Sequence, residues 1–599
     1  MPTPVSRRHL LSLMSQGCLA ATLPLACGRP NDAKTYSGPN LPLPSLTQAK
    51  QPAPYLGNQA GETRDLEQSD SVFSASIASG DPTPNGVILW TRIDPKHYRP
   101  DLELIIEVAR DLKFTQKVHS ASIPGAEITE ADDYCVKWDA DPFLEPLNSY
   151  YYRFIYGRFV SRIGRCRTLP TPQQSLDRLM LGQITCQDFG NGYYAAFRAL
   201  SQRDDLDFVI HLGDFIYESS GDPHFQKDSI PERSFTLPSG EHYAMDRQDY
   251  NTLYRTYRRD SHLQRCLEAH TMIFIPDDHE TANDYHWDYA LDAPGVPDHP
   301  YHDLKRYTLD DRRGLRRDSM RAWQAYTPTR LQKASSEEGD QAEFQIYRSF
   351  RFGQLAHISM LDERSFRTNS ACGSDSLMGR YVTGCKTAFS DKNSMLGRNQ
   401  LDWLLSKFEH ERARWNLLGN QVPMAPVRLA GSYEKPILAN VDGWDGFAAE
   451  RKFILEAVRY LKLDNFIVLS GDLHTGIASH LKLDFSHAVN FDLDNTVGVE
   501  FMTPSISSAN LKELITQNLK KTPFSEKIAE FLQEKVIRRN NPHLSYFDSN
   551  IHGYATLELT PRACEWSCWS VNTYDPEAKP VLQRRYRKWN LNPLLETVS

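Results

Sequence analysis

Short apolar runs recur along the chain, and they follow different patterns on the two sides of residue 170. Between about residues 71 and 170 the runs alternate with polar positions and are separated by turn residues such as "PNG". This pattern predicts a small antiparallel β-sandwich. Beyond residue 170, continuous apolar runs alternate with amphipathic segments such as "QLDWLLSKFEHERARW". That alternation predicts buried strands and helices in a layered α/β domain.

The first thirty residues have the pattern of an export signal. Arg7 and Arg8 precede a modest apolar stretch that is too short and too interrupted for a membrane span. This predicts a twin-arginine signal, the export machinery as a partner, and a periplasmic or secreted protein without a transmembrane segment in its mature chain. A chance Arg-Arg pair before a weak signal is the alternative. Cys27 follows Leu25 and Ala26 but Pro24 replaces the usual leucine, so lipid anchoring is a weaker expectation.

These patterns divide the chain into five predicted segments. They are a signal at 1–30, a linker at 31–70, a β-sandwich at 71–170, a catalytic domain at 171–570 and a C-terminal tail at 571–599. The linker is expected from its Pro, Gly, Asn and Gln content, and the tail from its basic cluster "QRRYRKW".

Composition narrows the class of protein. Of the 599 residues, 40% are hydrophobic and 24% charged, and the net charge of -8 implies no broad basic surface. A nucleic-acid partner is therefore not expected, and the oligomeric state is not predicted. Export would permit disulfides, for which Cys135 with Cys166 and Cys372 with Cys385 are candidate pairs, although sequence does not fix connectivity.

Several predicted strands after residue 170 end in residues that can bind a metal ion. One ends at Cys186, one at Asp214 with Tyr217 close behind, one at "DDHE" and one at "GDLH". Each has an ordinary explanation by itself, as a buried cysteine, a turn former or a helix cap. In open α/β sheets, however, ligands bind outside the carboxyl ends of the strands. Their joint occurrence therefore favours a single metal-binding crevice.

The same stretches carry a resemblance to a known family. The chain resembles the PhoD-like alkaline phosphatases and phosphodiesterases, which belong to the calcineurin-type metallophosphoesterases. The matching stretches occur in order over most of the chain after residue 70, and they include "CQDFGNGYYAA", "HLGDFIYE", "DDHETANDY", "MLDERSFR", "MLGRNQLDWL", "DGWDGFAAER", "SGDLHTG" and "NPHLSYFD". The resemblance implies a four-layer α-β-β-α catalytic domain preceded by a small antiparallel β-sandwich. It also implies an exported hydrolase of small-molecule phosphate monoesters or diesters whose site holds iron and calcium.

Under this resemblance the candidate ligands form two metal sites. The first is expected to hold Fe3+, because thiolate and phenolate ligands suit a ferric ion. The second is expected to hold Ca2+, because its ligands offer only oxygen. The first set comprises Cys186, Asp214, Tyr217 and His474. The second comprises Asp278 and Asp472, with Asn283 as a weaker candidate.

The expected mechanism is in-line attack at phosphorus by a metal-bound hydroxide. His279 is expected to protonate or stabilise the leaving alkoxide. Arg364 is expected either to contact the substrate phosphate through its fork of donors or to form a structural pair with Asp362.

Other interpretations remain open at this point. The chain could be a catalytically silent scaffold that acts as a binding protein, or a phosphodiesterase specific for phospholipid diesters. A serine hydrolase is disfavoured because no clear Gly-x-Ser-x-Gly motif occurs. Trp444 and Asp445 are expected to shape the pocket or to cap a helix. Asn541 and His543 are expected to reach the site or to form a turn.

Overall fold

A computed structural model describes most of the chain after its first 65 residues. The described residues are 66–598, except 223–225, 227–228, 334–342, 370–381, 384–385, 432–435, 439, 487–492, 511 and 514–536. The predicted export signal, nearly all of the linker and the candidate pair of Cys372 with Cys385 lie outside them. Within the described ranges, no helix is long and apolar enough to cross a membrane.

The first hundred described residues form nine strands. They are β1 (Glu67–Gln68), β2 (Ile77–Thr83), β3 (Gly86–Arg92), β4 (Leu104–Ala109), β5 (Lys117–Ile123), β6 (Cys135–Asp139), β7 (Ser149–Tyr156), β8 (Phe159–Val160) and β9 (Gly164–Arg167).

Strands and helices then alternate up to the middle of the chain. The elements are β10 (Leu179–Ile184), α1 (Ala195–Ser201), β11 (Phe208–His211), α2 (Arg247–Tyr257), α3 (Ser261–Ala269), β12 (Thr271–Phe274), β13 (His286–Asp288), β14 (Ala293–Gly295) and α4 (Leu309–Tyr326). Asp246 and Asp260 begin α2 and α3, because each side chain accepts two backbone N–H groups of the first turn.

The next region supplies most of a second sheet. Its elements are β15 (Gln332–Lys333), β16 (Phe344–Gln345), β17 (Arg348–Phe352), β18 (Ala356–Met360), β19 (Val382–Thr383), α5 (Gly397–His410), β20 (Trp415–Gly419), β21 (Arg428–Gly431), β22 (Pro436–Leu438), α6 (Ala448–Tyr460), β23 (Phe466–Ser470), β24 (Gly476–Lys482) and β25 (Thr496–Met502).

The C-terminal part is mainly strand. It contains α7 (Arg538–Asn540), β26 (Leu544–Asp548), β27 (His552–Leu559), β28 (Ala563–Val571), β29 (Val581–Trp589) and β30 (Leu595–Thr597).

Two large sheets carry the strands that end in candidate ligands. The ten-stranded sheet has the order β30-β29-β28-β27-β10-β11-β12-β2-β3-β6, and β10, β11 and β12 are parallel. The seven-stranded sheet has the order β17-β18-β20-β23-β25-β24-β26, and β18, β20, β23 and β25 are parallel. In both sheets the candidate ligands follow the carboxyl ends of the parallel strands.

One apolar cluster contains side chains from both large sheets. Leu181, Ile210 and Ile273 of the ten-stranded sheet share it with Ile358 and Leu417 of the seven-stranded sheet, and all five are buried. Burial of each such side chain contributes roughly 1.5–3 kcal/mol. A second cluster joins other residues of β10, β11 and β12 to helices α1 to α4. Because the three strands contribute to both clusters, they are buried on both faces, as expected for parallel strands.

The region predicted as a β-sandwich is not separate from the larger sheet. Strands β1, β4, β5, β7, β8 and β9 form their own six-stranded sheet, whereas β2, β3 and β6 extend the ten-stranded sheet through the pairing of β2 with β12. Both sets contribute to one apolar core. The candidate pairing of Cys135 with Cys166 is wrong, because both thiols are free and lie on strands of different sheets.

The predicted C-terminal tail is also wrong as a description of 571–599. Strands β29 and β30 lie in this segment and continue the ten-stranded sheet. The basic cluster belongs to β29, where Arg585 and Arg587 both pair with Glu565 on β28. Cross-strand charge pairing therefore explains a sequence that has the composition of a solvated tail.

Candidate metal centre

Four candidate ligands share an uncommon backbone conformation. Cys186, Asp214, Asp472 and His474 have φ values of 55°, 57°, 66° and 50°. Non-glycine residues adopt this left-handed region rarely, and it persists only where the surrounding structure requires it. Such residues cluster at functional sites, so this conformation in four residues after three strand ends is an independent indication that these side chains act together.

The first cluster brings together sulfur, oxygen and nitrogen atoms. One ligand atom each from Cys186, Asp214 and His474 lies within 4.8 Å of the other two. The Tyr217 hydroxyl donates to Asp214 Oδ2 at 3.1 Å and lies 3.2 Å from His474 Nε2. The Nδ1 atom of His474 lies 2.6 Å from the Ala509 carbonyl, a contact that leaves Nε2 facing the cluster. Asp214 Oδ1 is buried and has no hydrogen-bond partner.

Burial opposes ionisation in this first cluster. Burial and the nearby Asp214 carboxylate raise the pKa of the Cys186 thiol well above its usual value. The same two causes raise the pKa of Tyr217. A bound cation reverses this balance, because thiolate, phenolate and carboxylate ligands are anions whose charge it compensates.

A second cluster consists of carboxylates and adjoins the first. Oxygen atoms of Asp277, Asp278 and Asp472 lie within 4.8 Å of one another. Ligand atoms of Asp214, Asp278 and His279 form another such group, so Asp214 belongs to both neighbourhoods. A carboxylate has two oxygens and can bridge two cations. The described residues therefore provide one continuous region of ligand atoms that could hold metal ions.

The Arg364 guanidinium lies among these carboxylates and is itself buried. Its contact with Asp362 is limited to the backbone, where its amide donates to Asp362 Oδ1 at 3.2 Å. The expected structural pair with Asp362 is therefore wrong for the side chain. The guanidinium instead forms ion pairs with Asp472 at 3.2 Å and Asp278 at 3.6 Å, and with Asp277 and Asp442.

His279 lies beside the clusters and is held by a buried acid. Its Nδ1 lies 2.7 Å from Oε2 of Glu218, and its ring centroid is 4.0 Å from that of Tyr217. Burial lowers the pKa of His279, but the carboxylates of Glu218, Asp214 and Asp278 outweigh it and raise the pKa well above the usual value. The contact with Glu218 fixes the orientation of the imidazole ring.

The comparison with known proteins decides the family. The sequence profile of the PhoD-like phosphatases matches residues 181–568, which is more than half of the chain, and the profile of their N-terminal domain matches 58–170. The chain belongs to the PhoD-like phosphatase family. By this membership it is a phosphoric ester hydrolase.

Two relatives illustrate the match of this PhoD-like phosphatase. The chain is 29% identical over 500 residues to alkaline phosphatase D of Bacillus subtilis (strain 168), covering 82% of this chain and 76% of that protein. It is also similar to a solved structure described as "Structure of PhoD", with a TM-score of 0.73 and 25% identity over 89% of this chain and 93% of that one.

Asn283 lies beside Glu218 and Asp298 in this PhoD-like chain. Its side-chain amide donates to Asp298, and its backbone N–H donates to Glu218 Oε1 at 2.8 Å. These contacts place Asn283 next to the acid that holds His279. Asn283 therefore contributes to the support of His279 through Glu218.

Sequence reasoning assigned no role to two acids of the PhoD-like site. Glu218 ends the stretch "HLGDFIYE", and its distance of four residues from Asp214 was the available signal. Asp442 opens the stretch "DGWDGF", in which sequence predicted roles only for Trp444 and Asp445. Asp445 accepts from the Val427 amide and pairs with Arg451, so it braces a loop rather than a helix end.

The remaining predicted pocket residues have structural roles. Trp444 Nε1 donates to Oε1 of Glu363 at 2.7 Å. Asn541 accepts from and donates to the backbone of Arg428, and the His543 ring lies 2.8 Å from the Pro426 carbonyl. Asn541 and His543 therefore hold the segment before β21.

Proposed function

We propose that this PhoD-like phosphatase is a two-metal hydrolase of small phosphate esters that acts after export from the cytoplasm. The observation that carries the proposal is the convergence of Cys186, Asp214, Tyr217 and His474 beside a carboxylate cluster. A thiolate, a phenolate and an imidazole together are uncommon in a purely structural core and suit a redox-stable ferric ion. Oxygen ligands alone suit calcium.

Charge counting supports the choice of ions. The first cluster carries three negative charges when Cys186, Asp214 and Tyr217 are ionised, which matches Fe3+. Around the second cluster, the carboxylates that pair with Arg364 are Asp277, Asp278, Asp442 and Asp472, and Arg364 and Arg367 offset two of their four negative charges. The remaining two negative charges match one Ca2+. Buried charges require such compensation, since an unpaired buried ion costs several kcal/mol.

The protein's own groups then divide the work around the ester. When bound, the cations supply positive charge against the phosphoryl oxygens and lower the pKa of water. His279 Nε2 holds the proton that passes to the leaving alkoxide, since Glu218 engages Nδ1 and stabilises the protonated ring. Arg364 positions Asp278 and Asp472 through its ion pairs and adds positive charge at the same place.

The fold and the route of export are part of the same proposal. The shared core of the two large sheets, with helices against the ten-stranded sheet, supports a four-layer α-β-β-α arrangement for a catalytic domain beginning near residue 171. The core shared by β2, β3 and β6 with the six-stranded sheet supports a sandwich over about 71–170. The Arg7–Arg8 pair supports the twin-arginine route.

The experiment is hydrolysis of para-nitrophenyl phosphate beside its bis-ester at alkaline pH. Rates are measured with added calcium and then with a strong chelator, and the iron content of the same preparation is determined. We expect activity that requires calcium and is lost on chelation, and the ratio of the two rates identifies monoester or diester preference. Protein that holds neither metal and hydrolyses neither ester would instead be a silent scaffold.

A His279→Ala variant tests the proton donor separately. The leaving alkoxide of an alkyl phosphate needs a proton more than para-nitrophenolate does, so the loss of turnover should be larger for the alkyl ester. Metal content should remain that of the unaltered protein. Equal losses on both esters would contradict the role assigned to His279.

A further inference from the structure

A second concave site lies away from the metal-binding crevice. It is at the amino-terminal ends of the parallel strands of the seven-stranded sheet, whereas the candidate ligands follow the carboxyl ends. Its cavity has a volume of about 480 Å³. Arg351 lies in β17 just before the turn into β18, Arg414 directly precedes β20, and Asp464 and Asn465 directly precede β23. The metal-binding residues follow the other ends of β18 and β23. A five-residue strand spans roughly 16 Å, so one small molecule does not reach both sites.

Three arginines dominate the chemistry of this cavity. Arg351, Arg412 and Arg414 line it together. One N–H of each is used by a backbone carbonyl: Gly353 at 2.8 Å, Phe408 at 3.1 Å and Pro561 at 3.4 Å respectively. Each guanidinium has five N–H donors in a planar fork, so most of the donors around the cavity remain for another acceptor.

The carboxylates near these arginines do not neutralise them. Within the described part of the chain, none of the three arginines forms an ion pair. Glu411, which adjoins Arg412, pairs instead with Lys407 at 2.5 Å and His357 at 3.1 Å. Asp464 is the one carboxylate among the lining residues. The lining therefore carries three positive charges and one negative charge.

The other lining residues suit a small polar ligand with an apolar portion. Ser175 and Gln354 provide further hydrogen-bonding groups, and Leu176, Leu355 and Leu591 provide apolar surface. Burial lowers the pKa of Arg351, and the nearby Glu411 carboxylate only partly opposes this effect. Arg412 and Arg414 are exposed and accessible to a multiply charged oxyanion, the kind of ligand that arginine clusters bind.

We propose that the cavity lined by Arg351, Arg412 and Arg414 is a second binding site, separate from the metal centre, for a phosphate-bearing anion. The ligand class is a tetrahedral oxyanion that carries at least two negative charges. Inorganic phosphate is the simplest member of this class. The site does not depend on the proposed hydrolysis, because no residue that lines it belongs to the metal clusters.

The test measures binding of inorganic phosphate to the full chain by isothermal titration calorimetry, as purified and again with a chelator. The chelator removes cations from the metal centre, so phosphate binding that survives it reports the arginine cavity. We expect binding to survive and to weaken about a hundredfold or more in a triple variant Arg351→Gln, Arg412→Gln, Arg414→Gln, since loss of a charged hydrogen bond costs about tenfold or more.

Two further variants make the test specific. The triple variant Arg259→Gln, Arg306→Gln, Arg317→Gln removes the same charge from exposed positions outside the cavity, and it should bind phosphate as the unaltered protein does. The exposed Asp464→Asn removes the opposing carboxylate and should tighten binding several-fold. Misfolding would weaken phosphate binding, so a gain of affinity in Asp464→Asn reports the site itself.

The outcomes separate the proposal from its competitors. Phosphate affinity that is unchanged in the first triple variant, or lost equally in the charge-matched control, would overturn the proposal. Binding that disappears with the chelator would assign all phosphate to the metal centre and would also overturn it. Sedimentation with phosphatidylcholine vesicles containing phosphatidic acid distinguishes the source. Capture that needs the same arginines identifies a lipid headgroup, and its absence beside phosphate binding identifies a soluble anion.

Discussion

Replacing Arg364 by alanine should expose the electrostatic dependence of the site on a bound cation. The guanidinium is 2% exposed and pairs with the buried Asp277, Asp278 and Asp442 and with the half-buried Asp472, at 3.2 Å from Asp472 and 3.6 Å from Asp278. Its removal leaves those charges uncompensated. Breaking a buried ion pair by removing one partner costs about 3–5 kcal/mol, so the free energy of unfolding of the metal-free protein should fall by about that amount.

Calcium should restore part of this loss. A divalent cation among the same carboxylates compensates the charge that Arg364 leaves, and binding only to the folded state adds stability by mass action. Urea unfolding followed by tryptophan fluorescence, in chelator and in saturating calcium, measures the difference. We expect the loss caused by Arg364→Ala to be clearly smaller in calcium than in chelator.

Arg367→Ala is the matched control. Arg367 is also buried, but it pairs with Asp442 alone among these four carboxylates and donates to the backbone carbonyls of Asp284, Tyr285 and Asp442. Calcium does not replace those backbone contacts, so the loss for Arg367→Ala should be nearly the same in both conditions. Equal losses for Arg364→Ala with and without calcium would refute the charge-compensation argument.

Three further changes test other parts of the structure. Cys186→Ser should remove iron and any iron-derived absorbance while far-ultraviolet circular dichroism stays unchanged, and retained iron would contradict the ligand assignment. Gly213→Ala should reduce metal content, because φ is 111° there and a Cβ would lie 2.4 Å from Cβ of Asp277; a fully loaded variant would contradict this. Burial raises the pKa of Glu450 from 4.5 to about 7, so its contribution to stability is complete below pH 4.5 and is lost as pH rises through 7. Glu450→Gln lacks this titration, so its free energy of unfolding should rise by up to about 3 kcal/mol relative to that of the unaltered protein between pH 4.5 and 8. A difference in urea midpoint that does not change with pH would contradict this prediction.

The sequence predicted which strand ends lie together better than it predicted the borders of the fold. Cys186, Asp214 and His474 could be found because each follows an apolar run, and parallel strands bring their carboxyl ends to one edge. The partners Glu218 and Asp442 could not be assigned, because their contacts join segments distant in the chain. The sequence did not predict β29 as a strand of the large sheet. Its alternate arginines, Arg585 and Arg587, pair with Glu565 on the neighbouring strand, and composition does not reveal this cross-strand pairing.

The position of β10, β11 and β12 has a consequence for how the molecule is made. These strands lead into Cys186, Asp214 and Asp277, yet their neighbours are β2 from the start of the described chain and β27 from near its end. Leu179 pairs with Leu559, so the sheet that bears the ligands stays incomplete while the ribosome still holds the C-terminal strands. We therefore expect the candidate metal-binding residues to come together only after the C-terminal strands have been synthesised.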